Sequence, residues 1–370
     1  MTADLKVIEN LLDAPSLYPD EPRKDRETRR ADMIAWAEKY DEQCEYYNLY
    51  GMDLANAAPC DTWLDYGIFR KIRFRTNADY FPLGSAFPYN FTLFMRDKLS
   101  FEMFTQMVLG KDSKEYVPSV GVIYGKTVYI RNESGALIEI ASLGDLTTRF
   151  EGQKLVFKQT FGCSGKSVYI VEVQDGKLAV PGSTEEAARP DDFLGTIADP
   201  RAIWLVQPYI HQNETLSRLN DTSVNTMRIL TFHTGERIVV PDLSIIRYGK
   251  KGALLDNADS GGRYTAVDGN GILRDKAYDF VGMGVEDSPF AGMKIEEYGK
   301  AVELVKRLHS FIPQLFTVGW DVAFTTDGPA VVEGNDGWDP SLNQPPRGNA
   351  MRPVWDSLLA ERKENTGRLI

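Results

Sequence analysis

The chain has 370 residues, 43% of them hydrophobic and 11% aromatic, enough to bury a large core and, by length, to form two or three domains. A net charge of -11, from 42 basic and 53 acidic residues, argues against a broad nucleic-acid or anionic-membrane surface. Cys44, Cys60 and Cys163 form no CxxC and no histidine cluster accompanies them, so neither a disulfide framework nor a zinc site is indicated and a reducing cytoplasm fits.

The N-terminus, MTADLKVIENLLDAPSLYPDEP, carries acids where a signal peptide needs basic residues. No uncharged apolar run reaches about 18 residues, so a soluble protein without membrane insertion is expected. Residues 19 to 40 mix both charge signs with sparse apolar positions, which predicts a solvated helix packing a narrow stripe. From Tyr46 to Pro88 the chain is aromatic and loop-rich. Met95 to Val108 has helical spacing and leads to two strand-like segments, VPSVGVIY and TVYIR. A helix near Ser142 to Glu151 precedes LVFKQT, SVYIVEV and KLAVPG, read as a small antiparallel sheet. Residues 183 to 200 suggest a helix interrupted at Arg189-Pro190, and WLVQPYI an extended segment.

TMRILTFHTGERIVVPDLSIIRY alternates over two strands joined at His233 to Glu236, a hairpin signal. Glu296 to Ser310 is amphipathic and helical. GWDVAFTTDGPAVVEGN is a second hairpin turning at Asp327-Gly328. If its loop is odd and centred on Asp327, Asp321 lies opposite Glu333, with β-carbons roughly 4.5 to 5.5 Å apart. Glu333 and Asn335, two apart, project to the same side. Three oxygen donors then share one face, and hard donors of this kind suit magnesium, with manganese as the alternative, far better than zinc. An even loop moves Asp321 to the other face, and a solvent-exposed acidic hairpin is the competing reading.

The run QTFGCSGKS at 159 to 167 fails as a P-loop, because Thr160 stands where the first glycine belongs and a strand rather than a helix follows. A glycine turn between strands reads instead as a flap whose N–H groups, with Lys166, close over phosphates, an ordinary hairpin being the alternative. Lys158, between Phe157 and Gln159, is costly to bury unless it meets an anion.

Taken in order, Lys98 in RDKLSF, VFKQTFGCSGKSV, WLVQPYI, SVNTMRILT, GWDVAF and VVEGN resemble the ATP-grasp superfamily, with closest similarity to the sugar-transfer-associated ATP-grasp proteins. The resemblance spans about residues 90 to 345, with a weaker echo in EYYNLYGMD at 45 to 53. It implies an α+β fold of two lobes clasping ATP. The expected division is an N-terminal extension at 1–90, a pre-ATP-grasp region at 91–150, a small lobe at 151–206 and a large lobe at 207–370.

The resemblance also implies roles. Lys98 and Lys158 contact phosphates, and Gly162, Ser164, Gly165 and Lys166 form the flap. Gln207, Pro208 and Tyr209 make the adenine hinge, with glutamine where many relatives have glutamate. Asp321, Glu333 and Asn335 hold magnesium, and Arg228 braces the transferred phosphoryl group. Arg247, Asp256, Asn257, Gly261 and Gly262, similar to the DN..GG element of these relatives, line the acceptor site, and Arg347 is a candidate for the acceptor's carboxylate. Asp336 and Asp339 stay outside the metal shell. The implied chemistry is ATP-dependent joining of a carboxylate, from a sugar acid or amino acid, to an amine through an acyl phosphate, by positioning and charge neutralisation. A small-molecule kinase and a non-catalytic nucleotide binder are the competing readings. No oligomeric state is implied.

Overall fold

In the computed structural model, the residues described are 4–73, 91–162, 167–183, 186–199, 201–345 and 350–367. Strands β1 (Gly121–Tyr124), β2 (Thr127–Arg131), β3 (Leu137–Ile140), β4 (Lys154–Gln159), β5 (Val168–Gln174), β6 (Lys177–Ala179) and β7 (Ile203–Pro208) form an antiparallel sheet in the order β3-β2-β1-β7-β4-β5-β6. The stretches 91–150 and 151–206, separate in the sequence reading, thus share one layer, because β1 pairs with β7 from Gly121↔Val206 to Tyr124↔Ile203. Phe157, Val171, Val173, Val206 and Phe193 fill its core.

The second sheet contains β8 (Thr226–His233), β9 (Ile238–Val239), β10 (Ile245–Tyr248), β11 (Arg263–Ala266), β12 (Lys276–Asp279), β13 (Gly284–Asp287), β14 (Thr317–Thr325) and β15 (Gly328–Asn335). Its order is β13-β12-β11-β10-β8-β14-β15, with β9 on β8. Every residue of β8 is buried, so the strand is covered on both faces. Side chains alternate across a strand. Met227 and Ile229 therefore join the core under the helix Tyr298–Ser310, while Leu230 and Phe232 pack with Trp36, Tyr47, Trp338 and Trp355. Arg228 shares the face of Leu230 and Phe232, the face that the N-terminal segment and the C-terminal helix Arg352–Thr366 cover in part.

The charged stretch at 19 to 40 yields a helix, Arg26–Tyr40, started by Asp25, whose carboxylate accepts from Thr28 N. Its buried positions Arg29, Met33, Trp36 and Ala37 are the expected narrow stripe. The single helix expected at 95 to 108 is two, Leu93–Arg96 and Lys98–Leu109. Asp97 breaks it with extended backbone, then caps the second piece by accepting from Ser100 N, which sets Lys98 at the first helical position. Among the described residues, no helix is long and apolar enough to cross a membrane.

Candidate active site

The hairpin of β14 and β15 brings Asp321 opposite Glu333, but not through an odd loop. Thr325 pairs with Gly328, leaving a two-residue turn, Thr326-Asp327, and that register continues to Val322↔Val331. A β-bulge at Val332 then shifts the pairing by one residue. In an unbroken ladder Glu333 would oppose Trp320 and face the core with it. The bulge turns Glu333 and Asn335 together onto the Asp321 side.

Arg228 is the partner of Asp321 across β8 and β14. Its Nε and Nη2 donate to the two carboxylate oxygens at 2.8 and 2.9 Å, and Arg247 Nη2 reaches the second oxygen at 2.9 Å. Side-chain exposure is only 9% for Arg228, 10% for Arg247 and 2% for Asp321, so this is a buried clamp and not a surface ion pair. Burial alone would raise the Asp321 carboxyl, but the two guanidiniums outweigh it and hold the group well below the usual carboxylate range. Arg247 also donates to Thr226 Oγ1 at 2.5 Å, and Asp256 accepts from Thr226 N at 2.9 Å.

These residues line a cavity of about 800 Å³, which Lys98, Lys158, Glu333 and Asn335 also reach. Lys98 Nζ donates to Gly162 O at 2.8 Å and stands 3.9 Å from Glu333, tying the flap's first residue to the metal motif. Lys158 is half-buried; burial pushes its pKa down, and Glu333 opposes the shift.

The resemblance implies a divalent ion among these oxygen donors. Both oxygens of Asp321 are occupied by arginine N–H groups, and Asn335 Nδ2 approaches one of them at 3.4 Å. Among the described residues no group of three or more His, Cys, Asp or Glu converges on a metal position. Two carboxylates and an amide oxygen on one face of the β14–β15 hairpin still fit magnesium, which keeps several waters and takes one or two carboxylates alongside phosphate oxygens. Glu333 and the Asn335 carbonyl are the donors not already held by arginine.

Gln207 Nε2 donates to Val117 O at 2.8 Å beside Lys98 and Lys158. Pro208 remains in the β-ladder opposite Leu155, and Tyr209 stacks over Lys154 Nζ at 5.4 Å; neither lines the cavity. Asn257 does line it, whereas Gly261 and Gly262 shape the turn behind it. Gly261 has φ +82, and a Cβ on Gly262 would collide with the Asp256 carbonyl. Ser164, Gly165, Lys166 and Arg347 lie outside the described residues.

Several lining residues carried no assigned role in the sequence. Arg96 donates to both oxygens of Asp336, at 2.9 and 2.7 Å, and its only signal was its place two residues before Lys98. Tyr46 and Tyr66 come from the N-terminal segment, with Tyr46 stacked on Phe280 at 5.5 Å. Asp339 accepts from Ser341 N, and burial pushes its pKa up to about 6.

The sugar-transfer associated ATP-grasp family matches residues 77–358. The chain belongs to that family. Its fold is the α+β ATP-grasp fold. D-alanyl-alanine synthetase A from Vibrio cholerae is similar at 10% identity and TM-score 0.40, over 74% of this chain and 66% of that one. D-cycloserine synthetase DcsG is similar at 16% and 0.36, over 72% and 71%. The purK N5-carboxyaminoimidazole ribonucleotide synthetase is similar at 11% and 0.36, over 65% of this chain, which spans 45% of that one. The family match, not these low-scoring neighbours, carries the assignment. No curated protein matches the chain.

Proposed function

We propose that the protein is an ATP-dependent carboxylate-amine ligase, joining a sugar acid or amino acid to an amine and releasing ADP and phosphate. The observation that carries this reading is the gathering of Lys98, Lys158, Arg228 and Arg247 around one cavity with Glu333 and Asn335, in a family member. Four cations around a cavity suit a substrate whose charge moves from triphosphate to acceptor. Asp321 holds the two arginines in fixed directions, so they need little reorganisation when an oxyanion arrives.

In this reading a carboxylate oxygen of the acceptor attacks the γ-phosphorus and ADP leaves. The amine then attacks the acyl carbon, loses a proton, and expels phosphate. Lys98 and Lys158 neutralise phosphate oxygens, and Arg228 and Arg247 receive the acceptor's carboxylate or the transferred phosphoryl group. Glu333 and Asn335, with Asp321 once an arginine releases an oxygen, would hold magnesium, which supplies further charge neutralisation at the phosphates. Tyr46, Tyr66 and Phe280 line the same cavity, and in this reading they would wall its acceptor end.

The test is phosphate release from the purified protein with ATP and magnesium, pairing uronic acids and amino acids with amines. Release that requires both carboxylate and amine, and a hydroxamate when hydroxylamine replaces the amine, supports the ligase. A stable phosphoester without phosphate release would make it a kinase. Tight ATP binding with no turnover across the panel would make it a nucleotide-binding scaffold.

A further inference from the structure

Asp339 lies just past the metal motif, where the chain enters the short helix Pro340–Asn343. The proline after it restricts residue 339 to extended backbone, φ -95 and ψ 114, and its carboxylate caps the helix. Ser341 supplies both donors that reach this carboxylate: its N–H, at 2.8 Å from Oδ1, and its hydroxyl, which Tyr50 holds at 2.8 Å. Asp339 is thus fixed in direction, and the part of it left accessible lines the cavity of about 800 Å³.

Four other acids of that cavity have cationic partners. Asp336 pairs with Arg96 at 2.7 Å, Glu333 stands 3.9 Å from Lys98, Asp256 3.8 Å from Arg247, and Asp321 holds Arg228 and Arg247. Among the described residues, no lysine or arginine forms an ion pair with Asp339. The charged and titratable groups around it are Asp259, Asp65, Tyr46, Tyr50, Tyr264 and Arg228. Arg228, the cation among these six, already directs Nε and Nη2 to Asp321. A carboxylate in a cavity without a counter-ion favours a cation brought from outside. Tyr46, stacked on Phe280, lines the same cavity with Tyr66, and aromatic faces attract ammonium groups. Burial and Asp259 raise the Asp339 carboxyl to about 6 against the pull of Arg228, so it is ionised at pH 7 and still able to accept a proton.

We infer that Asp339 receives the amine substrate as its ammonium form and is the base that takes the proton masking its lone pair. This rests on the ligase reading above and adds a catalytic residue to it. One ammonium proton passes to a carboxylate oxygen of Asp339. The neutral nitrogen then forms the C–N bond at the acyl carbon, the bond from that carbon to the phosphate oxygen breaks, and the departing phosphate takes the second proton. Asp339 returns its own proton to solvent through the open cavity.

The experiment compares nucleophiles at pH 7 in wild type and Asp339→Asn, with ATP, magnesium and whichever uronic acid or amino acid gives most hydroxamate. The nucleophiles are hydroxylamine, which is largely unprotonated at pH 7, and a panel of protonated amines: methylamine, ethanolamine, glycine and glucosamine. Asn keeps an oxygen for Ser341 and is a good helix cap; Asp339→Ser, also a good cap, serves if the amide variant does not fold. For the best protonated amine, kcat/KM is expected to fall about 100-fold or more, and the loss with hydroxylamine to be at least about tenfold smaller. A folded variant that loses both reactions equally, or neither, overturns the inference while the ligase reading stands. Hydroxamate formation by wild type with no protonated amine accepted overturns it in the same way. Wild type that turns over no nucleophile at all overturns the ligase reading and this inference together.

Discussion

Asp321→Asn keeps the shape of the side chain and removes the charge that two buried arginines share. In the wild type, three N–H groups reach its oxygens at 2.8, 2.9 and 2.9 Å. The amide offers one acceptor oxygen and turns an N–H₂ toward guanidinium donors. Removing one partner of a buried charge pair costs about 3–5 kcal/mol. Arg247 still has Thr226 Oγ1 at 2.5 Å and Asp256 at 3.8 Å, which places the expected loss near the lower end, about 3 kcal/mol. Urea unfolding at pH 7 measures it. Arg228→Met and the double variant complete a cycle in which the double loses less than the sum, by about 1 kcal/mol or more. Because the folded protein depresses the Asp321 pKa, its contribution is present above the unfolded value of about 3.9 and is lost as pH falls toward the folded value. The gap between wild type and variant therefore narrows progressively below about pH 4. A loss under about 1 kcal/mol at pH 7, additive single effects, or a gap that stays constant into acid would refute the clamp.

Lys158→Met removes an ammonium that burial disfavours, so the melting temperature holds or rises while calorimetric ATP affinity falls at least about tenfold; lower stability with intact affinity contradicts the phosphate role. Asp65 is pushed up to about 7 by burial, with Gly67 N donating to it and Asp339 nearby adding to the rise. A carboxyl whose folded pKa is raised loses stability as pH climbs from the unfolded value of about 3.9 to the folded one. Asp65→Asn, which keeps an acceptor for Gly67, is therefore more stable than wild type by about 2–4 kcal/mol at pH 8, with no difference at pH 4; parallel pH–stability curves would contradict this. A Cβ on Gly319 would sit 2.8 Å from Trp338 Cβ, so Gly319→Ala costs about 1–3 kcal/mol in denaturant unfolding, and a neutral result means that the Trp338 loop moves freely.

Period-two alternation put Glu333 and Asn335 on one side of their strand, and the order of Lys98, Lys158, Gln207, Arg228 and the VVEGN run marked the superfamily. These are properties of neighbouring residues and of motif order, which a linear chain carries by itself. The side on which Asp321 meets them is different. It depends on the bulge at Val332, which the turn signal at Asp327-Gly328 does not announce and which the packing of Trp320 and Val322 into the core enforces. Tertiary structure likewise decided that Arg228 and Arg247 close on Asp321, because β8 and β10 approach β14 only once the second sheet has formed. Tyr46 and Tyr66 reach the cavity only because the N-terminal segment buries its aromatic residues on the open face of β8. Register and long-range approach follow from which apolar faces find cover, and that is set by the whole core rather than by any local stretch.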